Sequence, residues 1–329
     1  MVLLRKTAPL CVLLLSLAAC SPRAAALHLV ARVPPATVLP GPTASPGVTS
    51  SPTPEPSFPS TLTPPAPTNT VIGPTVLPSE TPLPPRIGLS ADEWKSWPQV
   101  PIVPGFVRIL YQIGQQMGND PHAFSILGDC QSQPDVFMSA YDTDPQEVAG
   151  LSPELQEVVA WFAGSFNRRS PTVRGGTTAA ALLWPEWTQG KYGCWPDETP
   201  LSCELRIHRP AFAILHVGTH YDVRNLVYLK RVLDQLISQG VVPILATKAD
   251  DSEGDEAINH DYALLAVEYN LPLWNFWAAT SELPDRGLYT RTEVRYQGDV
   301  YLTKAARLIH RYSALRALNA VWRAVSAAP

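Results

Sequence analysis

The chain has 329 residues, a formal net charge of -4 and a pI near 6.0, and 45% of its residues are hydrophobic. It has no basic excess and no cluster of Lys and Arg, which excludes nucleic acid as an expected partner. About half of its 35 prolines precede residue 86, so the chain must be divided before it is interpreted.

The amino terminus predicts export. Arg5 and Lys6 precede an apolar run from Leu10 to Ala19, which is too short to span a bilayer but suits a signal peptide. The run ends Leu17-Ala18-Ala19-Cys20, which resembles a bacterial lipobox, and the resemblance implies lipidation of Cys20. The alternative is an ordinary secretory signal with an incidental cysteine. We expect a lipoprotein signal peptide at 1–20 and a protein anchored at the outer face of a bacterial membrane.

A linker separates this signal from the rest of the chain. From Pro34 to Pro85 the residues are mainly Pro, Thr, Ser and small side chains with almost no charge. Such a segment cannot bury enough apolar surface to offset its chain entropy, so residues 21–86 should form a disordered or polyproline-like spacer. The composition of residues 87–329 is that of one globular domain.

Helical and extended patterns alternate along this domain. Predicted helices cover Pro104–Gly118, Pro153–Phe166, Asp222–Ser238, Glu256–Tyr269 and Thr303–Val325. Predicted strands cover Phe124–Leu127, Phe212–Val217, Val241–Ala246 and Leu271–Phe276. Because each strand is apolar throughout, the sheet should be parallel and covered on both faces. The predicted fold class is α/β, a three-layer α/β/α doubly wound sheet of the flavodoxin-like kind, with its site at the carboxyl ends of the strands.

The cysteines of the domain have two expected roles. Cys194 and Cys203 flank a short, polar, proline-containing loop, and in an exported protein such a pair most simply forms a disulfide. Cys130 then keeps its thiol. A thiol of this kind is either buried and inert, which is the commoner case, or placed for chemistry.

Cys130 follows an apolar stretch, Phe124 to Leu127, that stops at Gly128-Asp129. The pattern predicts a buried strand whose end presents the next side chain to a cleft, as a nucleophile is displayed at the edge of a parallel sheet. Gly128-Asp129-Cys130 resembles the first motif of the SGNH (GDSL) hydrolases, with cysteine in place of serine. The resemblance covers roughly residues 120 to 325 and implies ester hydrolysis, with Cys130 as nucleophile and its backbone N–H in the oxyanion hole.

Two further motifs of that family supply oxyanion donors. Gly175, in Arg174-Gly175-Gly176, resembles the glycine of the second motif, although a simple turn opening a helix is the alternative. The third motif, Gly-x-Asn-Asp, is similar to Gly218-Thr219-His220-Tyr221-Asp222, with His220 in place of asparagine. An imidazole N–H can still donate to the hole.

The fourth motif departs from the family pattern. In Gly298-Asp299-Val300-Tyr301, Tyr301 stands where the resemblance places the catalytic histidine, and Gly298 stands where it places aspartate. Asp299 is one residue out of register. Since the ordinary pKa of tyrosine is near 10, Tyr301 cannot serve as the base at neutral pH, and the standard Ser-His-Asp mechanism is not available.

The remaining histidines and the loop after the third strand suggest no other chemistry. His216 and His220, four residues apart on an extended segment, would lie roughly 13 Å apart, too far to share one ion. We therefore expect no metal and no cofactor. His208 and His310 have no identifiable partner in the sequence. Lys248 lies in a polar segment that follows a strand. Its polar residues could border the cleft, but a solvated loop is the favoured interpretation.

Three hypotheses follow. The first is a divergent hydrolase that uses a Cys130–His220 dyad, with Asp222 or Asp299 orienting the imidazole. The second is a catalytically inactive SGNH scaffold that serves as a glycan-binding or structural domain at the cell surface. Three tryptophans of the insertion after the second motif are the candidates for stacking on sugar rings, although loop packing is the favoured role for any one of them: Trp184, Trp187 and Trp195.

The third hypothesis is a spacer lipoprotein without a functional cleft, which the extensive α/β pattern disfavours. The expected partners are the membrane, through lipid on Cys20, and an acylated small molecule or a glycan. We expect a monomer.

Overall fold

The computed structural model describes residues 88–218, 225–249, 255–289 and 302–326. The predicted signal peptide, Cys20 and the predicted linker lie outside these residues. Within the described part of the chain, no helix combines the length and the apolar character needed to cross a bilayer.

Strands and helices alternate as the sequence predicts. The strands are β1 (Asp120–Gly128), β2 (Pro210–His216), β3 (Val242–Ala246) and β4 (Leu273–Trp274). The α-helices are α1 (Phe106–Met117), α2 (Ala140–Thr143), α3 (Pro145–Ala149), α4 (Pro153–Trp161), α5 (Pro200–His208), α6 (Asn225–Ser238), α7 (Ala257–Tyr269), α8 (Phe276–Ala279) and α9 (Lys304–Ser326). Short 3₁₀ helices cover Ala91–Ser96, Cys130–Ser132, Pro134–Val136, Ala181–Leu183, Pro185–Thr188 and Pro284–Gly287.

The four strands form one parallel sheet in the order β1-β2-β3-β4. Val173 adds an isolated parallel bridge to Gly128 on the outer side of β1. If the Val173 segment is taken as a short edge strand, the chain order across the sheet is 2-1-3-4-5, which is the order of flavodoxin-like doubly wound sheets. After β1 the chain passes to the Val173 segment on one side of this strand and then to β2 on the other side. This reversal of direction creates a switch point beside β1.

Alternate residues of each strand face opposite layers, so the predicted three-layer α/β/α arrangement is confirmed. Phe212 and Ile214 of β2 pack in a core with α1, α4 and α9, whereas Ala213 and Leu215 pack in a second core with α6 and α7. All four side chains are at most 1% exposed. Burial on both faces explains why β2 is apolar throughout rather than alternating.

Several predicted boundaries are wrong by a few residues: β1, for example, begins at Asp120 and not at Phe124. The strand predicted to reach Phe276 ends at Trp274, because the Asn275 side chain accepts the Ala278 N–H at 3.1 Å and caps α8. The helix predicted to reach Phe166 ends at Trp161. Phe166 is nevertheless fully buried, so its apolar character reflects the core and not the helix.

The predicted disulfide between Cys194 and Cys203 is confirmed. Only part of the intervening segment is the expected loop, because α5 begins at Pro200. Thr199 caps this helix by accepting the Ser202 N–H at 3.1 Å, and proline at the first helical position needs no N–H partner. The disulfide thus joins the loop to a helix whose side chains Leu201 and Cys203 are buried.

Replacing both cysteines in the double variant Cys194→Ser/Cys203→Ser should lower the free energy of unfolding by about 2–3 kcal/mol, because the open chain regains loop entropy when it unfolds. Urea unfolding of the oxidised wild type and the double variant measures this difference. Under reducing conditions the two proteins should converge. A difference that persists after reduction would assign the effect to the serine side chains and not to the cross-link.

Candidate functional site

The carboxyl ends of β1, β2 and β3 bring polar side chains together at one edge of the sheet. Gly128 at the end of β1 pairs in register with His216 at the end of β2. The residues that follow, Asp129 and Cys130 on one strand and Gly218 on the other, therefore leave the sheet side by side. Lys248 follows β3 at the same edge. This is the switch point at which doubly wound sheets bind their ligands.

The turn that carries Cys130 is tightly packed. A Cβ at position 128 would lie 2.2 Å from the Cβ of Ser132, so only glycine allows the 3₁₀ helix Cys130–Ser132 to fold back on the strand. Asp129 caps this helix, since its Oδ1 accepts the Gln131 N–H at 3.1 Å. Cys130 is 7% exposed and keeps its thiol.

Gly175 lies beside Cys130, as the motif resemblance implies. The Gly128 N–H donates to the Thr172 carbonyl at 3.0 Å, and the Arg174 N–H donates to the Gly128 carbonyl at 3.3 Å. This pairing delivers the next residue, Gly175, to the end of β1. A Cβ at position 175 would lie 4.0 Å from the Cβ of Cys130. The nucleophile candidate and the second backbone donor candidate are thus neighbours.

Lys248 is fully buried, which corrects its interpretation as part of a solvated loop. Its Nζ lies 2.9 Å from Oδ2 of Asp129, and both side chains are 0% exposed. The backbone of Lys248 is clamped by Asn259 of α7, whose Oδ1 accepts the Lys248 N–H at 2.6 Å and whose Nδ2 donates to its carbonyl at 3.0 Å. Because burying a single charge is costly, the ammonium and the carboxylate require one another.

A second buried polar group consists of Ser132, His216 and His310. His216 Nδ1 lies 3.2 Å from Ser132 Oγ and 3.3 Å from His310 Nε2. All three side chains are 0% exposed. His310, which had no partner in the sequence, thus connects α9 to the strand edge through His216. His208 is also placed, with Nε2 3.1 Å from the Phe124 carbonyl.

Aromatic rings enclose His310 and keep this group dry. Phe137 stacks on His310 with ring centroids 4.2 Å apart, and the rings of Phe276 and Trp274 lie 4.4 Å and 5.4 Å away. Burial and the nearby Lys248 ammonium lower the pKa of His216 well below 6.5, and the Thr247 backbone partly opposes this. Burial, His216 and Lys248 lower the pKa of His310, with Asp129 opposing. Both imidazoles are therefore neutral at pH 7.

The other predicted site residues lie outside the described part of the chain: His220, Asp222, Gly298, Asp299 and Tyr301. The dyad between Cys130 and His220 remains a prediction. The last described residue before that segment is Gly218, with φ of +146°. A Cβ there would lie 2.8 Å from Cγ1 of Ile258, so the glycine permits close packing of the β2 end on α7.

The sequence analysis assigned no role in the site to three side chains at this edge: Ser132, His216 and Lys248. A polar residue at the end of an otherwise apolar strand was a usable signal for His216 and Lys248, because strand ends converge at the switch point. Ser132 lies within the first motif but was not assigned a role.

The comparisons with known proteins add no further constraint on this site. No protein-family model matches the chain, and no curated protein matches it.

The buried histidine pair should make stability depend on pH. Below about pH 6.5 the histidines of the unfolded chain bind protons that His216 and His310 do not bind in the fold, so the free energy of unfolding falls as the pH falls. Each histidine contributes a slope of up to about 1.4 kcal/mol per pH unit in this range. Urea unfolding at about pH 7.5 and about pH 5.5 measures the slope.

The variant His310→Gln should show a shallower slope than wild type. His260→Gln serves as the control, because the His260 side chain is 39% exposed and lies on the surface of α7. Equal slopes for wild type and His310→Gln would contradict the assignment.

Proposed function

We propose that the chain is a divergent SGNH-like hydrolase that cleaves acyl esters with Cys130 as nucleophile. The observation that carries the proposal is the position of Gly175 beside Cys130, fixed by the pairing of residues 172–174 with the end of β1. A nucleophile with two adjacent backbone N–H donors is the minimum required to stabilise a tetrahedral oxyanion. The position of both at the switch point of a doubly wound sheet supports the same conclusion.

The reaction follows from a thiol at that position. The Cys130 sulfur attacks the acyl carbon, its proton passes to the base, and the backbone N–H groups of Cys130 and Gly175 stabilise the oxyanion. The C–O bond then breaks, the alcohol leaves with the proton, and a thioester remains on Cys130. Water hydrolyses this thioester, which releases the carboxylic acid and restores the thiol.

His220 is the base in this proposal, with Asp222 or Asp299 orienting its ring. His220 follows Gly218 by two residues, and Gly218 leaves the sheet next to the Cys130 turn. His216 is less suited to the task, although it is neutral. It is 0% exposed, and its Nδ1 is shared between Ser132 and His310.

The proposal includes the location of the enzyme. Cleavage before Cys20 and lipidation of its thiol would tether the domain, through the proline-rich segment, to the outer face of a bacterial membrane. The Cys194–Cys203 disulfide supports an oxidising compartment.

Hydrolysis of p-nitrophenyl acetate by the purified full chain tests the proposal. Cys130→Ala should reduce turnover to the level of the uncatalysed reaction, and His220→Ala should reduce it by about 10²–10⁴-fold, since each removes an essential participant. His260→Ala is the matched control and should retain wild-type activity. A wild-type rate no greater than that of the double variant Cys130→Ala/His220→Ala, across acetyl to hexanoyl esters, would refute the hydrolase.

A second candidate function, glycan binding without catalysis, is favoured by two exposed indoles in the insertion. Trp184 and Trp195 are 53% and 62% exposed. The Arg206 guanidinium lies over the Trp195 ring, with Cζ 4.0 Å from its centroid. Trp187 is not a candidate on the ground of exposure, because it is half-buried and its Nε1 donates to Thr177 Oγ1 at 3.2 Å. Exposed aromatic faces are suited to stacking on sugar rings.

If Trp184 and Trp195 form a sugar-binding surface, the double variant Trp184→Ala/Trp195→Ala should lose retention on a peptidoglycan or chitin column by at least tenfold in affinity, because the stacking faces are gone. Cys130→Ala should be retained like wild type. Trp187→Ala is a poor control because it removes a packed side chain. Tyr289→Ala is the control instead, because Tyr289 is an exposed aromatic residue distant in sequence from the insertion. Equal retention of the tryptophan variant and wild type would exclude this function.

A further inference from the structure

We propose that Lys248 is a positioning residue for Cys130, acting through Asp129: it holds the carboxylate that shapes the nucleophile turn and offsets its charge beside the thiol. The inference deepens the proposed function by naming how the same site is controlled. It concerns a lysine that no motif of the resemblance includes. The Ser132–His216–His310 group lies at the same edge, and burial together with the Lys248 ammonium lowers the pKa of both of its histidines.

The first step is the rigidity of Lys248 itself. Asn259 binds both the N–H and the carbonyl of Lys248, at 2.6 Å and 3.0 Å, and Asn259 is fully buried in α7. The backbone from which the ammonium extends is therefore fixed independently of Asp129. Because its backbone is anchored in this way, Lys248 can hold the Asp129 carboxylate in position.

The second step is the double role of Asp129. Its Oδ2 binds the Lys248 ammonium at 2.9 Å, while its Oδ1 accepts the Gln131 N–H at 3.1 Å. One oxygen of the carboxylate thus connects to β3, and the other sets the 3₁₀ turn in which Cys130 is the first residue. The orientation of the Cys130 side chain and backbone therefore depends on an ion pair that spans two strands.

The third step is electrostatic. Asp129 directly precedes Cys130, and both members of the ion pair are 0% exposed, so water screens their charges poorly. With the pair intact, the net charge next to the thiol is close to zero. Removing the ammonium would leave a negative charge that disfavours the thiolate, and removing the carboxylate would leave a positive charge that favours it.

Stability alone is a weak reason for such a pair. Buried ion pairs are often replaced by apolar side chains without loss of stability, and buried charges are concentrated at functional sites. Asp129 also accepts the Gln131 N–H, which no apolar side chain could do. The turn that carries Cys130 therefore accounts for the charged pair better than packing does.

The test is the pH dependence of Cys130 alkylation by iodoacetamide in the full chain, followed by mass spectrometry of the peptide that contains Cys130. Lys248→Met should raise the pH midpoint of alkylation by about 1 unit, and Asp129→Asn should lower it by a similar amount. The double variant Asp129→Asn/Lys248→Met should return the midpoint close to that of wild type, and Lys248→Arg should keep it there.

Opposite shifts that cancel in the double variant support the proposal, because a purely structural role moves both single variants in the same direction. Shifts of the same sign, or a double variant that is not restored, overturn it. If Lys248→Met does not fold, the pH midpoints of alkylation of Asp129→Asn and of the double variant are compared. A midpoint that is lowered in Asp129→Asn and restored in the double variant supports the proposal, and any other result overturns it. Because alkylation needs no ester substrate, loss of the proposed hydrolase with opposite shifts retained would refute the reaction and leave the positioning role standing.

Discussion

The pairing of β1 with β2, with Gly128 opposite His216, is the constraint on which the rest of the site depends. In a parallel sheet, register decides which residues leave the carboxyl edge together, and a slip of one residue would send each side chain to the opposite layer. This register places His216 against the turn that carries Cys130, with its Nδ1 3.2 Å from Ser132 Oγ. Since residues 172–174 pair with the same strand end, Gly175 is positioned by the same constraint.

In this arrangement the carboxyl edge of the sheet is buried from water. This burial explains why the polar side chains at the edge occur in hydrogen-bonded groups. Polar atoms that leave a sheet between two apolar cores must find partners within the protein. Lys248 pairs with Asp129, and His216 lies between Ser132 and His310. The aromatic rings around His310 complete the exclusion of water. The polar residues at this edge are therefore held in one arrangement before any ligand arrives.

The fold was largely predictable from the sequence, whereas the site was predictable only in part. Runs such as Phe212–Val217 are long and apolar enough to identify a buried strand, and their alternation with helices fixes the parallel sheet. The pairing of Cys194 with Cys203 follows from their spacing. The partnership of His216 with His310 does not, because the two are 94 residues apart and no local pattern of α9 distinguishes His310 from a surface residue. The burial of Lys248 likewise depends on a carboxylate 119 residues away.

In the proposed hydrolase, the backbone and the side chains make separate contributions to the site. The proposed oxyanion donors at Cys130 and Gly175 are peptide N–H groups, so they would be the same with serine or with cysteine at position 130. Their positions depend on Gly128, which admits Ser132, and on Asp129, which caps the turn. A general base has no such backbone substitute, because only a titratable side chain can accept the proton. In the proposed hydrolase, tyrosine at position 301 therefore leaves the role of base to another side chain, and His220, which follows the end of β2, is the one proposed.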